Sequence, residues 1–175
     1  MANECTDLSG FIRDIPDFPK PGILFRDITP LLADADALAR AIDALCEPFM
    51  NTGIDAVAAV EARGFIFGAA VARAMNAGFV PIRKKGKLPY QTHSVSYGLE
   101  YGTDSVEVHS DAIQPGTKVL MVDDLLATGG TMAAACELIQ TLGGHIAGLT
   151  FLIELAGLDG REKLSQYDIH TVITY

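Results

Sequence analysis

The sequence has no apolar run approaching the roughly 20 residues needed to cross a bilayer, so no membrane-spanning helix is expected. Its first residues, MANECTDLSG, carry acids where a secretory leader carries basic groups, which points to a cytoplasmic protein. Cysteine is scarce. Cys5, Cys46 and Cys136 form an odd, scattered set, read as reduced thiols with Cys46 and Cys136 packed as small apolar residues. The four histidines are as dispersed, and no C-x-x-C or H-x-x-x-H spacing occurs, so a protein-built metal centre is not expected. Positive charge is also in short supply. Thirteen Lys and Arg against 22 Asp and Glu leave a net charge of −9, the wrong sign for nonspecific binding to nucleic acid. Internal repeats, low-complexity tracts and Ser/Pro-rich linkers are missing too.

What is present is a chain of 175 residues, 49% hydrophobic and 20% charged, in the proportions of one domain with a substantial core, residues 1–175. The first 30 residues read as irregular, because IPDFPKPG holds three prolines in eight positions and suits neither a helix nor a central strand. From about 35 to 50, Leu38, Ile42, Leu45 and Phe49 recur at helical spacing, with Asp34 or Asp36 placed to cap. Apolar runs and helical stretches then alternate: DAVAAVEA (55–62), a helix over FIFGAAVARAMN with Gly78 at its end, and FVPIR from 79. DSVEVH (104–109) alternates like a half-exposed strand. KVLMVDD, the helix TMAAACELIQTL closed by Gly143, the strand AGLTFLIEL and a last strand DIHTVIT complete the series. This order implies an α/β protein with a mainly parallel central sheet flanked by helices.

Ligands of such sheets bind beyond the carboxyl ends of the strands. Three segments fall there: EARG (61–64), RKKGK (83–87) and DDLLATGGT (123–131). RKKGK concentrates four of the thirteen basic residues in an acidic chain. ATGGT leads into a helix, and its glycines let successive backbone N–H groups enclose an anion beside the hydroxyls of Thr128 and Thr131. A bare TGGT is an ordinary capped turn; after an apolar strand and two acids it reads as a phosphate cradle. Neither G-x-x-x-x-G-K-[ST] nor G-x-G-x-x-G occurs, which excludes the usual triphosphate and dinucleotide loops. Two ionised carboxylates just before a monophosphate cradle suit a ribose 5-phosphate, because sugar hydroxyls donate and carboxylates only accept.

VLMVDDLLATGGT resembles the phosphoribosyl pyrophosphate signature of the type I phosphoribosyltransferases. IPDFPKPGILFRDI (15–28), EARGFIFG (61–68), RKKGKLP (83–89), SYGLEYGTD (96–104) and GREKL (160–164) follow in order, and together they are similar to the adenine-using branch of that family over essentially the whole chain. The resemblance implies a type I phosphoribosyltransferase-like fold. In it, residues 1–34 form an N-terminal hood segment that recognises the base, and about 85–103 form a mobile catalytic loop. It implies purine salvage: transfer of the 5-phosphoribosyl group from phosphoribosyl pyrophosphate to adenine, giving AMP and pyrophosphate, by a pentosyltransferase that is commonly a homodimer. Ala127, Thr128, Gly129, Gly130 and Thr131 are then expected at the 5-phosphate, and Asp123 and Asp124 at the ribose. Arg63, Arg83 and Lys87 are expected at the pyrophosphate, with Arg83 able to reach across the dimer interface, and Lys84 and Lys85 are weaker candidates. Glu100 is expected as the acid/base group on the purine, beside Tyr101. Leu24 and Arg26 would read adenine through backbone groups, with Phe25 and Leu155 against its two faces. Mg²⁺ would arrive bound to substrate oxygens and water, with no direct protein ligand assigned.

One other enzyme reading, one regulatory reading and one signalling reading compete. A sister transferase for hypoxanthine, guanine or xanthine fits the same loops but not IPDFPKPGILFRDI. A sugar-phosphate-sensing regulator would need a DNA-binding extension, for which no room is seen before the first strand. A phosphate-accepting receiver domain would carry its acid pair near its start.

Overall fold

The computed structural model describes residues 7–98 and 103–175. The proline-rich start is more ordered than its composition suggests. β1 (Arg13–Pro16) and β2 (Leu24–Asp27) form an antiparallel hairpin of their own, with Ile15 opposite Phe25 and Asp14 opposite Arg26. The prolines are tolerated because Pro16 ends an edge strand, while Pro19 and Pro21 lie in the connection, where no ladder needs their missing N–H. A short helix, α1 (Thr29–Ala33), leads to α2 (Ala35–Cys46). Asp34 caps α2, accepting from the N–H groups of Asp36 at 3.1 Å and Ala37 at 2.8 Å. Of the four apolar positions read from 35 to 50, Leu45 and Phe49 are buried, whereas Leu38 and Ile42 are half-buried at the margin.

The main sheet is built from β3 (Ala56–Val60), β4 (Gly78–Lys84), β5 (Thr92–Gly98), β6 (Thr103–His109), β7 (Lys118–Leu126), β8 (His145–Glu154) and β9 (Ile169–Thr174). Their spatial order is β5-β6-β4-β3-β7-β8-β9. β4, β3, β7, β8 and β9 run parallel, whereas β6 and β5 are antiparallel additions at one edge. α3 (Gly64–Ala74) connects β3 to β4 on one side, and α4 (Gly130–Thr141) connects β7 to β8 on the other. The connections therefore diverge between β3 and β7, and the crevice where an α/β sheet holds its ligand opens there.

Alternation along the strands divides the core into two layers. On one face Val119 and Met121 of β7 meet Cys136, Leu138 and Ile139 of α4; on the other, Leu120 and Val122 meet Leu45 of α2 and Phe67 of α3. Full burial of one such leucine or phenylalanine contributes roughly 1.5–3 kcal/mol. The thiols of Cys46 and Cys136 sit inside these layers, and burial pushes their pKa values up to about 11 and about 12, which keeps them protonated and inert.

Several local expectations need correction. Gly78 does not end α3; it begins β4, and Asn76 at φ 54° takes the left-handed position after the helix. Gly143 does close α4, at φ 81°, with its N–H on Gln140 O at 2.9 Å. Val106, Glu107 and Val108 are all buried, so β6 is not a half-exposed strand; it lies between β4 and β5. Within the supposed loop 85–103, residues 92–98 form β5, paired with β6 along its whole length. No helix of the described residues is long and apolar enough to cross a membrane.

Candidate active site

The adjacent acids do not follow β7; they lie within it. Asp123 stands opposite Phe151, and the ladder continues to Leu126 opposite Glu154. Successive strand residues point to opposite faces, so the two carboxylates cannot stack on each other. Asp123 turns toward the start of α3, where a Cβ on Gly64 would lie 2.6 Å from Asp123 Oδ1. Glycine at 64 is therefore needed for the acid to reach the helix N-terminus, whose dipole favours an anion. The same oxygen accepts from the Asp124 N–H at 2.9 Å. Asp124 Oδ2 pairs with Arg63 Nε at 2.9 Å.

Burial and the neighbouring Asp124 push the Asp123 carboxyl well above the ordinary aspartate value. Burial raises Asp124 as well, with Arg63 opposing the shift. The pair is thus poised to gain from partners that donate hydrogen bonds, as sugar hydroxyls do.

The 127–131 loop begins where β7 ends. Gly129 adopts φ 74° and caps α4 through its backbone, so the helix N-terminus opens toward the loop. Behind it lies Gly160, from the GREKL segment. A Cβ on Gly160 would be 2.2 Å from Ala127 O, and a Cβ on Gly129 would be 2.5 Å from Gly160 O. Two backbones touch there with no side chain between them. The next residue, Arg161, grips buried Glu154 with Nε at 2.7 Å and Nη2 at 2.8 Å, and Nη2 also reaches Thr171 Oγ1 at 3.1 Å. These bonds, the pair with Arg161 foremost, hold the Glu154 carboxyl below its ordinary pKa despite burial.

The basic end of β4 and the turn after it adjoin Glu61, which follows β3. Arg83 Nη2 and Lys87 Nζ meet Glu61 Oε2 at 3.3 and 3.1 Å, and the Lys84 N–H donates to Oε1 at 2.7 Å. Burial works against the charge on Glu61, but these bonds outweigh it and hold its pKa down. Lys84 turns its ammonium to Asp104 at 2.8 Å.

The hairpin closes the other side. The guanidinium carbon of Arg63 lies 5.3 Å from the centre of the Phe25 ring, so one arginine touches both the hairpin and Asp124. Phe18 packs edge-on against Phe25 at 5.2 Å between centroids. Arg26 pairs with Asp14 and lies 3.6 Å over the ring of Tyr175. The Ala156 N–H donates to Tyr175 O at 2.9 Å, which ties the chain after half-buried Leu155 to the Arg26 side. β2 is paired on one side only, so alternate backbone groups around Leu24, Phe25 and Arg26 face away from β1.

Arg63, Arg83, Lys87, Asp123, Asp124 and residues 127–131 are thus gathered at one sheet edge, with residues 24–26 joined to it through Arg63. Gly98, at the end of β5, lies beside Gly130, where a Cβ would be 3.8 Å from Gly98 O. Glu100 and Tyr101 belong to the β5–β6 connection and lie outside the described residues. A cavity of about 1050 Å³ between α2 and β9 is lined by none of the expected site residues. Sequence reasoning missed Glu61, Gly160 and Tyr175. The first two stood in the quoted EARGFIFG and GREKL motifs, so a signal existed, but nothing local assigned them partners.

An edge that joins paired carboxylates to a glycine-rich helix start and a basic loop is that of a sugar-phosphate transferase. The chain belongs to the phosphoribosyl transferase domain family, which matches residues 26–173. Within it, the chain is similar to adenine phosphoribosyltransferases. That of Halothermothrix orenii is 58% identical over 167 residues, covering 95% of this chain and 98% of the relative. The crystal structure of the enzyme from Thermoanaerobacter pseudethanolicus superposes with a TM-score of 0.94 at 51% identity, over 98% of this chain and 99% of the other. The Saccharomyces cerevisiae enzyme, complexed with adenine and an imino-altritol bisphosphate, gives 0.91 at 40% identity, over 96% and 97% of the two chains.

Proposed function

We propose that this protein serves purine salvage by transferring the 5-phosphoribosyl group of phosphoribosyl pyrophosphate to adenine. The N9 nitrogen of adenine bonds to C1 of the ribose as the C1–oxygen bond to pyrophosphate breaks. Pyrophosphate leaves with the bonding electrons, N9 gives up its proton, and AMP results. The observation that carries this reading is the placement of Arg63 between Asp124 and Phe25. It brings a ribose-accepting acid and a base-facing ring to one side chain, as joining a base to a sugar requires.

Each group then has work to do. Asp123 and Asp124 accept from the two ribose hydroxyls, and residues 127–131 donate backbone N–H groups to the 5-phosphate. Arg63, Arg83 and Lys87 meet the negative charge that accumulates on pyrophosphate as the bond breaks, in a site from which water is excluded. Phe25 and Leu155 enclose adenine, and outward backbone groups at Leu24 and Arg26 read its amine and ring nitrogen. Glu100, outside the described residues, is assigned the proton of the purine.

Among the described residues no group of three or more His, Cys, Asp and Glu side chains could hold a metal. That suits a Mg²⁺ ion carried in on substrate oxygens and water, which would offset charge on the leaving pyrophosphate. The working unit is a homodimer in the cytoplasm, a setting in which buried thiols such as Cys46 and Cys136 stay reduced.

Incubating the protein with phosphoribosyl pyrophosphate, Mg²⁺ and each purine base in turn tests the reading. AMP formed from adenine faster than nucleotides from hypoxanthine, guanine or xanthine at equal concentration is the expected result. Preference for one of the oxopurines would sink the assignment of the base.

A further inference from the structure

The basic loop meets a carboxylate to which the proposed reaction gives no task. Glu61 is 9% exposed, whereas its partners Arg83 and Lys87 are 35% and 49% exposed. Its Oε1 is pinned by the Lys84 backbone N–H at 2.7 Å, and its Oε2 receives Arg83 and Lys87 at 3.3 and 3.1 Å. The anion is anchored to backbone, while the cations sit at the ends of long stems. Neighbouring acids are engaged elsewhere: Glu107 accepts from the Gly86 N–H at 3.0 Å, and Asp104 pairs with Lys84 at 2.8 Å. Arg83 Nη1 reaches Lys87 O at 3.2 Å, yet Arg83 Nε is buried with no acceptor. The guanidinium is short of one partner in this arrangement.

We propose that Glu61 is an internal counter-anion that holds Arg83 and Lys87 in position until the oxygens of a diphosphate group replace it as their partner. This rests on the phosphoribosyl-transfer reading of the site. Each cation then exchanges one anionic partner for another, so the diphosphate gains only the difference between them. Because Glu61 stays anchored through Lys84, it stands ready to take both cations back when pyrophosphate departs. It touches no reacting atom, and its part is that of a positioning residue that trades affinity for release.

The test is Glu61→Gln, which keeps the acceptor for the Lys84 N–H and removes the charge. Binding of inorganic pyrophosphate with Mg²⁺ is measured by calorimetry, and KM for phosphoribosyl pyrophosphate by initial rates. The dissociation constant for pyrophosphate and the KM are both expected to fall by about three- to tenfold, meaning tighter binding, the range for one or two partly exposed charge pairs. Lys87→Met should reduce that gain when combined with Glu61→Gln, a coupling that general loss of structure does not produce. Pyrophosphate binding that is unchanged or weaker in a folded Glu61→Gln protein overturns the proposal. If that variant does not fold, Glu61→Asp makes the same comparison, because it withdraws the charge from Lys87, and a smaller tightening is expected. Parent protein that binds no pyrophosphate and forms no AMP overturns the underlying reading instead, so the two failures are distinct.

Discussion

Neighbouring parallel strands carry acids near their ends in opposite circumstances. On β8, Glu154 receives two guanidinium bonds from Arg161 and a hydroxyl bond from Thr171, and its pKa is held down. On β7, Asp123 has the Asp124 N–H as its hydrogen-bond donor and a like charge beside it, and its pKa is pushed up. Burial acts on both. What separates them is the supply of donors. On the function proposed above, the carboxylate whose bonds are complete is scaffold, and the one whose bonds are incomplete is kept for a ligand.

The sharpest way to break that contrast is to neutralise the β7 pair. Asp123→Asn combined with Asp124→Asn is expected to lower kcat/KM for phosphoribosyl pyrophosphate by more than about 10³-fold, with circular dichroism and melting showing an intact fold. Full turnover in such a protein would remove the ribose role. The matching change on β8, Glu154→Gln, should act on stability instead. Arg161 is 46% exposed, so the loss is set at about 2 kcal/mol, below that of a fully buried pair, and denaturant unfolding measures it.

The smallest effect tests the electrostatics alone. The folded-state pKa of Asp123 lies above the unfolded value near 3.8. Its ionisation therefore favours the unfolded chain, and stability is lost as pH rises through the folded pKa. Asp123→Asn removes that loss. The variant should be more stable than the parent near pH 8, and the gain should shrink as pH falls and vanish well below the unfolded value of 3.8, where the parent acid is neutral in both states. A gain independent of pH would mean that packing, not charge, separates the two proteins.

Much of this was legible along the chain because β3 and β7 are apolar runs and each is followed by its own helix. VLMV and TMAAACELIQTL announce β7 and α4 without reference to anything distant. The carboxylate pair was legible as chemistry, though not its position inside the strand, since continuation to Leu126 depends on β8 supplying Ile153 and Glu154 as partners. The N-terminal hairpin was hidden by prolines that disfavour regular structure in general but occupy a strand end and a connection here. Glu61 and Tyr175 acquire their contacts only when β3 meets the loop after β4 and when the end of β9 meets β2. Such pairings join segments far apart in sequence and leave no local periodicity behind.

The contact of Gly160 with Ala127 and Gly129 bears on how this molecule can be rebuilt. Backbones that touch without intervening side chains have no slack to absorb a change, so the two stretches behave as a single casting. Moving residues 127–131 into another scaffold, or lengthening them, carries the turn at 159–161 along as an obligatory second piece. The portable unit is a pair of segments, and the glycine of its second half has no side chain to advertise the fact.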